Sequence, residues 1–489
     1  MWSVRSHPQT KRVMAKILPA IILILAVIYL YHWYGDLVFN PTIRLPLPQR
    51  QEQLRLQLSS LLHDHKPNCA AIQLDGDAGG AYYNASDEGE RLNCVKNVDE
   101  IFPPMQAAHD GFLRAIQDQK VQLPYLPQTA GIVSSAGGTY LPNFIVTLRL
   151  IRRRGSNLPV EVFMKDWEEY EAYICEVVLP PMNAKCLILS EMLSGLNKME
   201  HYQIKSFAIL FSSFESVIWL DSDNIPLHDP GILLNSEPFT STGLVTWPDF
   251  WASTTAPIYY NISRQPEPSL SARACSEAGV ILVSKQSHAS MLLLSAYYNY
   301  YGPDYYYPLL SQGGYGQGDK DTFIPAAAAM NKTFYTVSEP VVFLGHTLPH
   351  SEDVHPAAML QSDPIEDFQL TSEGKWRVKD PSVAKPVRAF FIHTMAMKFN
   401  PADGLMGEKS HDWHGNPSRA YTASAEALQR FGYDAERDIW EETLAMTCDL
   451  EHVFYTWRSK SGVCAEVRAY WNAVYENPSK EETYKFTQD

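Results

Sequence analysis

The sequence predicts an α/β fold built on a mainly parallel central sheet, and three observations lead there. From about Gln128 onward, short apolar runs alternate with segments of helical apolar spacing. The runs have strand length and end in small or polar residues. One of them, Ser216-Val-Ile-Trp-Leu220, stops directly at Asp221-Ser222-Asp223. Strands alternating with helices imply parallel pairing through right-handed crossovers.

In chain order, residues 129–135 read as the first strand and residues 140–154 as a helix ending in Arg152-Arg153-Arg154-Gly155. Residues 159–164 are the second strand, 167–176 look helical, and 186–189 form a short third strand. Residues 201–211 are a helix, and 216–220 are a fourth, buried strand. Ligands of such sheets bind at the carboxyl ends of strands, which is where Asp221 and Asp223 lie. The last part, from Asp403, reads as mostly helical, with Trp440, Tyr455, Trp457, Tyr470 and Trp471 as packing residues.

The N-terminus divides differently. Lys11, Arg12 and Lys16 precede an almost wholly apolar run from Ile17 that extends through His32-Trp33-Tyr34 to Asp36. No small-residue cleavage site is obvious. At about 1.5 Å per residue, roughly 18 residues span about 27 Å, enough for a thin bilayer. The expected order is therefore a cytosolic tail (1–16), a transmembrane anchor (17–34) and a Pro-containing stem (35–65) with a short amphipathic helix near Leu54–His63. A lumenal domain (66–402) and a helical extension (403–489) packed on it follow. The positive flank places the rest of the chain in the lumen.

The 489 residues carry a net charge of −15, which argues against a nucleic-acid partner. The aromatic content, 27 Tyr, 20 Phe and 11 Trp, suits a sugar-binding cleft as well as an aromatic core. Seven cysteines cannot all pair within one chain. Proximity pairs Cys69 with Cys94, Cys175 with Cys186 and Cys448 with Cys464, leaving Cys275. Asn84, Asn261 and Asn331 lie in N-x-S/T sequons, as expected for a lumenal, glycosylated chain.

Chemistry concentrates in four places. Two carboxylates at i and i+2 after a buried strand can share one hard divalent cation, whose charge stabilises a diphosphate leaving group. Phosphohydrolases of the haloacid-dehalogenase type also place Asp-x-Asp after a strand. They use the first core strand, and they favour Thr or Val where Ile225 stands here. A Gly-rich segment, Ser311 to Gln317, leads into Gly318-Asp319-Lys320-Asp321. Its glycines allow close backbone approach to a ligand, and Asp319 is a candidate to position the reacting sugar or its acceptor. His393, ending the run Phe390-Phe391-Ile392, is a candidate third metal ligand, with Lys398 placed to pair with a diphosphate. Trp247-Pro-Asp249-Phe-Trp251 offers stacking faces for an acceptor, and Asp321 is a further candidate acceptor-binding residue. Glu277 is a candidate carboxylate near the reacting carbon, and Gly279 lets a donor sugar lie against the backbone.

The strings Trp219-Leu-Asp-Ser-Asp-Asn-Ile-Pro226, Ser241-Thr-Gly-Leu-Val-Thr-Trp-Pro-Asp-Phe-Trp-Ala-Ser253, Glu277-Ala-Gly279, Tyr301-Gly-Pro-Asp-Tyr-Tyr-Tyr-Pro-Leu-Leu310 and Gly318-Asp-Lys-Asp-Thr-Phe323 carry a resemblance. They resemble the fungal Golgi mannosyltransferases of glycosyltransferase family 71, and within it the α-1,2-mannosyltransferases that branch cell-wall mannan. The resemblance runs from about Ala130 to His393, and the anchor and stem match the family's type II layout. It implies a GT-A-type (Rossmann-like) domain, GDP-mannose as donor, manganese as the ion, and an α-mannoside of N-glycans or mannan as acceptor. It also implies retention of configuration. α-1,3 transfer is the alternative within the family, and an inactive lectin-like subunit of a mannan-synthesising complex is the alternative outside catalysis. Carried onto this chain, Asp221, Asp223 and His393 match the metal set. Lys205 is similar in position to a donor-binding lysine. The segment His393-Thr-Met-Ala-Met-Lys398 departs from the His-x-x-Gly-x-x-Lys form of some GT-A families.

Overall fold

The computed structural model describes Val27 and residues 45–476, apart from 197–198, 200, 348–353, 396–397, 407–409, 413 and 423–424. The expected cytosolic tail and most of the anchor and stem lie outside the described residues. No helix among the described residues is long and apolar enough to cross a membrane.

The helices that bear on the site and its supports are α1 (Leu47–Asp64), α2 (Val98–Asp118), α3 (Leu141–Arg153), α4 (Ile204–Phe211), α5 (Lys285–Tyr300), α6 (Ala435–Leu450) and α7 (Val463–Trp471). The strands are β1 (Leu126–Ser135), β2 (Val160–Met164), β3 (Ala184–Ile188), β4 (Phe214–Leu220), β5 (Asn224–Pro226), β6 (Leu244–Ala252), β7 (Ala274–Ser284), β8 (Tyr335–Thr336), β9 (Val342–Thr347), β10 (Val354–Ser362) and β11 (Ala389–Thr394).

A seven-stranded sheet runs in the order β3-β2-β1-β4-β7-β6-β8. Pairings are parallel from β3 through β4 and between β6 and β8, while β7 is antiparallel to both its neighbours. The mainly parallel α/β sheet expected from the sequence is therefore present. The central stretches of its strands are apolar and buried because both faces are covered, as in Ile132-Val133, Val162 to Met164, Val217 to Leu220 and Val280 to Val283. Along β4, Val217 and Trp219 face one core cluster while Ile218 and Leu220 face the other. This is the period-2 alternation of a strand. The first cluster holds α4 and α5, and the second holds α3 and α6.

A second sheet, β5-β11-β10-β9, is antiparallel. Its strand β5 starts directly after Asp223, so one turn joins the two sheets.

The stem expectation needs correction. Residues 47–64 form α1, with Leu54, Leu58, Leu61 and Leu62 fully buried against the core. The i, i+4, i+7, i+8 spacing makes one apolar face, and that face is spent on the folded domain.

α6 packs on α3 and α7 packs on α6, with Trp440 against Tyr470 at 4.0 Å between ring centroids. Trp440, Trp457 and Tyr470 are buried, whereas Tyr455 is exposed. Disulfides join Cys175 to Cys186 and Cys448 to Cys464. Cys69 and Cys94 are free thiols, contrary to expectation. Each sits in a loop fixed by other means. The Cys69 carbonyl accepts from the Tyr305 hydroxyl, and the Cys94 N–H donates to Gln312 Oε1.

Within α2, His109 is fully buried and its Nε2 lies 2.8 Å from the Tyr298 hydroxyl. Burial pushes the imidazole down to about 4. Between that value and 6.5 the unfolded chain binds the proton that the native state refuses, so stability rises with pH across this window. At pH 4.5 the loss relative to pH 7 should be about 2–3 kcal/mol. Urea unfolding of the wild type and of His109→Gln at both pH values checks this. The variant should be less stable at pH 7, and its stability should fall less on acidification.

Candidate active site

β4 delivers Asp221 and Asp223 to the sheet edge. The Asp221 N–H donates to the Gly279 carbonyl at 2.8 Å, and Asn224 N–H closes the turn on the Asp221 carbonyl at 3.0 Å. β11 then delivers His393, because its register on β5 sets His393 opposite Asn224. As a result, ligand atoms of Asp221, Asp223 and His393 all lie within 4.8 Å of one another. Two hard carboxylate oxygens and an imidazole fit a divalent cation by donor chemistry.

Asp223 is buried. Its carboxylate lies 3.3 Å from His393 Nε2 on one side and accepts from Lys398 Nζ on the other. Burial alone would raise this carboxyl, but Lys398 and His393 outweigh it and hold it well below the usual carboxylate range. Lys398 also donates to the Thr394 carbonyl at 2.7 Å and remains one-third exposed, so its ammonium is open to an anionic ligand.

Asp221 is the more exposed ligand. Trp219 Nε1 donates to its Oδ1 at 2.7 Å, and Lys205 Nζ lies 3.2 Å from the same oxygen. Lys205 is buried and also pairs with Asp319 at 3.0 Å and donates to the Ala278 carbonyl at 2.5 Å. Burial opposes its charge, yet Asp221, Asp319 and Glu277 together raise it above the ordinary lysine value. Asp319 is pushed up by burial, with Lys205 opposing.

Glu277 has a different task from the one expected. Its Oε1 lies 2.9 Å from His393 Nδ1 and accepts from the Gly279 N–H at 2.5 Å, while its Oε2 accepts from Gln361 Nε2. Both oxygens are engaged, so Glu277 orients the imidazole instead of facing a reacting carbon. A carboxylate behind a histidine in this way would fix which ring nitrogen faces a bound ion. Burial opposes the charge of His393, but Glu277 and Asp223 raise its pKa to about 10.

Gln361, which no sequence signal marked, comes from β10 and accepts from Asn224 Nδ2 at 3.0 Å through its other amide atom. Gly279 is required by close approach. A Cβ there would lie 2.5 Å from both Cε1 and Nδ1 of His393.

The acceptor motif splits. Trp247 is fully buried, donates its indole N–H to the Ser362 carbonyl at 2.8 Å and meets the Phe391 ring edge-on. It has no face to offer a sugar. The reason is local: the pairing of β6 with β7 shifts register between Thr246 and Trp247 and again between Pro248 and Ala252, re-aiming alternate side chains. Trp247→Ala should cost about 3–5 kcal/mol of stability, read by chemical denaturation. Trp251 stays partly exposed. Asp249 is ion-paired to Lys320 at 2.8 Å, and Asp321 Oδ1 accepts from the Ser276 N–H at 3.1 Å. Both therefore brace the Gly-rich loop. The asparagines of the three sequons are exposed. A cavity of about 710 Å³ beside His228, Arg388 and Arg430 is lined by none of Asp221, Asp223, Glu277, His393, Lys205 and Lys398, so the site is defined by donor chemistry and not by that cavity.

An α/β sheet whose edge presents Asp-x-Asp, a carboxylate-backed histidine and two lysines defines a protein suited to a divalent ion with an anionic partner. The family described as "Mannosyltransferase putative" matches residues 129–275 and 269–363. The α-1,2-mannosyltransferase MNN21 of Candida albicans is 33% identical over 461 residues, covering 77% of this chain and 69% of that one. The α-1,2-mannosyltransferase MNN2 of Saccharomyces cerevisiae is 31% identical over 364 residues, covering 60% of each chain. The chain belongs to this family of fungal mannosyltransferases. Among solved structures, the glycosyltransferase GlyE of Streptococcus pneumoniae is 13% identical, covering 43% of this chain and 45% of that one at a TM-score of 0.29. Mouse xyloside xylosyltransferase 1 is 11% identical, covering 43% and 85% at 0.28. Likenesses at these TM-scores carry no weight here.

Proposed function

We propose that the protein transfers mannose from GDP-mannose to an α-mannoside of N-glycans or cell-wall mannan, forming α-1,2 linkages with retention, on a GT-A-type domain. The carrying observation is that a member of a family with relatives named α-1,2-mannosyltransferases keeps a clustered Asp221–Asp223–His393 set with Lys205 and Lys398 beside it. Asp221, Asp223 and His393 would hold a divalent ion, manganese on this reading. When bound, the ion supplies charge stabilisation to a diphosphate leaving group. Lys398 provides a second positive group for the same diphosphate. Lys205, buried between Asp221 and Asp319, pairs with both carboxylates and so ties the first of them to the Gly-rich loop. Glu277 holds the imidazole and has no free oxygen for a base. That supports a mechanism in which the departing phosphate oxygen takes the acceptor's proton on the same face.

Two disulfides and three exposed sequons support an oxidising, glycosylating compartment. Together with the apolar run 17–34 they favour a single-pass type II protein of the Golgi membrane.

The test is transfer by the purified chain from GDP-mannose to α-mannobiose with linkage analysis of the product. The expected result is a chelator-sensitive α-1,2 product. An α-1,3 product, or equal turnover with UDP-glucose or UDP-galactose, overturns the reading.

A further inference from the structure

Three segments far apart in the sequence bring aromatic rings together beside the Gly-rich loop. Tyr82 comes from the polar loop after α1, Trp251 from the end of β6, and Tyr315 from the Gly-rich loop itself. The Tyr82 and Trp251 rings are stacked at 4.9 Å between centroids, 24° from parallel. Tyr315 meets Trp251 edge-on at 5.0 Å. Yet Tyr82 is 64% exposed and Tyr315 60% exposed. Large exposed rings clustered together are unusual on a soluble surface and mark an interaction site.

The cluster is also held rigidly. Tyr82 bridges to Trp251 through the backbone, and the Tyr83 N–H donates to the Phe250 carbonyl at 2.9 Å. The Tyr315 N–H donates to the Gly79 carbonyl at 3.1 Å. A Cβ on Gly80 would fall 2.2 Å from the Tyr315 ring, so a bare backbone is what lets that ring lie there. Gln312 anchors the loop's start, donating to the Leu92 and Thr254 carbonyls at 2.9 and 2.7 Å. At the other end, Lys320 donates to the Tyr315 carbonyl at 2.7 Å and pairs with Asp249, two residues before Trp251. The neighbour of Lys320 is Asp319, which pairs with Lys205 and through it reaches Asp221. The rings are thus braced to the carboxylate cluster by a short chain of ion pairs.

From this arrangement we infer that Tyr82, Trp251 and Tyr315 form a carbohydrate subsite that binds a mannose of the acceptor beyond the one being modified. Rigid, exposed aromatic faces suit the C–H face of a hexose, and a tyrosine hydroxyl at the rim can bond its hydroxyls. The site sets acceptor preference: a chain that extends from the carboxylates onto the rings gains contacts that a mono-mannoside at the carboxylates lacks. This inference rests on the proposed mannosyl transfer only for its choice of sugar, so binding is measured separately from turnover.

The full chain is titrated calorimetrically with α-mannotriose and with methyl α-mannoside, as wild type, Tyr82→Ala, Tyr315→Ala and Gly80→Ala. Trp376→Ala, another exposed aromatic far along the chain, is the control. The two tyrosine variants should bind mannotriose at least tenfold more weakly than wild type, with methyl mannoside and the control unchanged. Gly80→Ala should follow them through displacement of Tyr315. Mannotriose affinity unchanged in the tyrosine variants overturns the subsite, as does a wild type that binds the trisaccharide no better than the monosaccharide. A wild type that binds mannotriose but transfers no mannose leaves the subsite standing and sinks the proposed reaction instead. Unchanged melting temperatures separate these outcomes from misfolding.

Discussion

Asp223→Asn should reduce mannosyl transfer by roughly 10³-fold, because one substitution removes a proposed metal ligand and the anion between two cations. Lys398 and His393 approach the Asp223 carboxylate from opposite sides, and Asp223 is buried. The amide leaves both positive groups without that partner. Breaking a buried pair in this way costs about 3–5 kcal/mol. The loss should therefore be visible in metal-free protein as a lower unfolding midpoint. The pH dependence gives the sign. A carboxyl held below its ordinary 3.8 contributes stability above that pH and loses it as pH falls further. An imidazole raised from 6.5 to about 10 contributes fully below 6.5 and loses it as pH rises through 10. Both contributions are complete between about pH 4 and 6.5, so the stability gap between wild type and variant should be widest there. Asp221→Asn should lose comparable turnover with a smaller stability cost, since its side chain is 30% exposed and Lys205 keeps Asp319 as a partner. Urea midpoints across pH, with turnover at saturating manganese, check both. Transfer at near wild-type rate by Asp223→Asn would remove the carboxylate pair from the mechanism.

What the chain reveals by reading and what it hides divide along a physical line. β1 to β4 are legible because each carries a short, largely buried apolar stretch (Ile132-Val133, Val162 to Met164, Cys186 to Ile188, Val217 to Leu220) that soon stops at a polar or small residue. Asp221-Ser222-Asp223 is legible for the same reason, standing where such a run ends. His393 was found as the end of an apolar run, but its place beside Asp223 depends on the antiparallel register of β11 on β5, which no local pattern encodes. Gln361 lies deeper still. A glutamine on β10 carries no signal of its own, and it matters only because β10 and β11 pair beside Glu277. Trp247 misleads because Trp-x-Asp-x-Trp reads as one strand face, while β6 shifts register once just before the first tryptophan and again between it and the last. Tyr82 was unreadable because its loop is polar and Gly-rich, and only the fold brings it onto Trp251.

Gly279→Ala tests how far the site depends on that hidden register. The added methyl would meet Cε1 and Nδ1 of His393 at 2.5 Å and Glu277 Oε1 at 2.8 Å. These are not flexible ends that swing aside. The imidazole is held by Glu277 on one nitrogen and faces Asp223 with the other, and Glu277 is tied in turn to Gln361 and to the Gly279 N–H itself. The ring must therefore move as a unit, by about an ångström. A displacement of that size at a reacting constellation costs on the order of 10²-fold in rate. Overpacking adds about 1–3 kcal/mol of lost stability. The fold itself should survive, because β7 keeps its backbone pairing with β4 and β6 on either side. The expected pattern is thus a folded protein with weakened affinity for a divalent cation and turnover about 100-fold down, partly restored at high cation concentration. Glu277→Gln should reproduce the loss of metal affinity in milder form, since it weakens the hold on His393 without pushing the ring. Full activity in Gly279→Ala would mean that the imidazole is free to leave the cluster, and His393 would then have no place among the metal ligands.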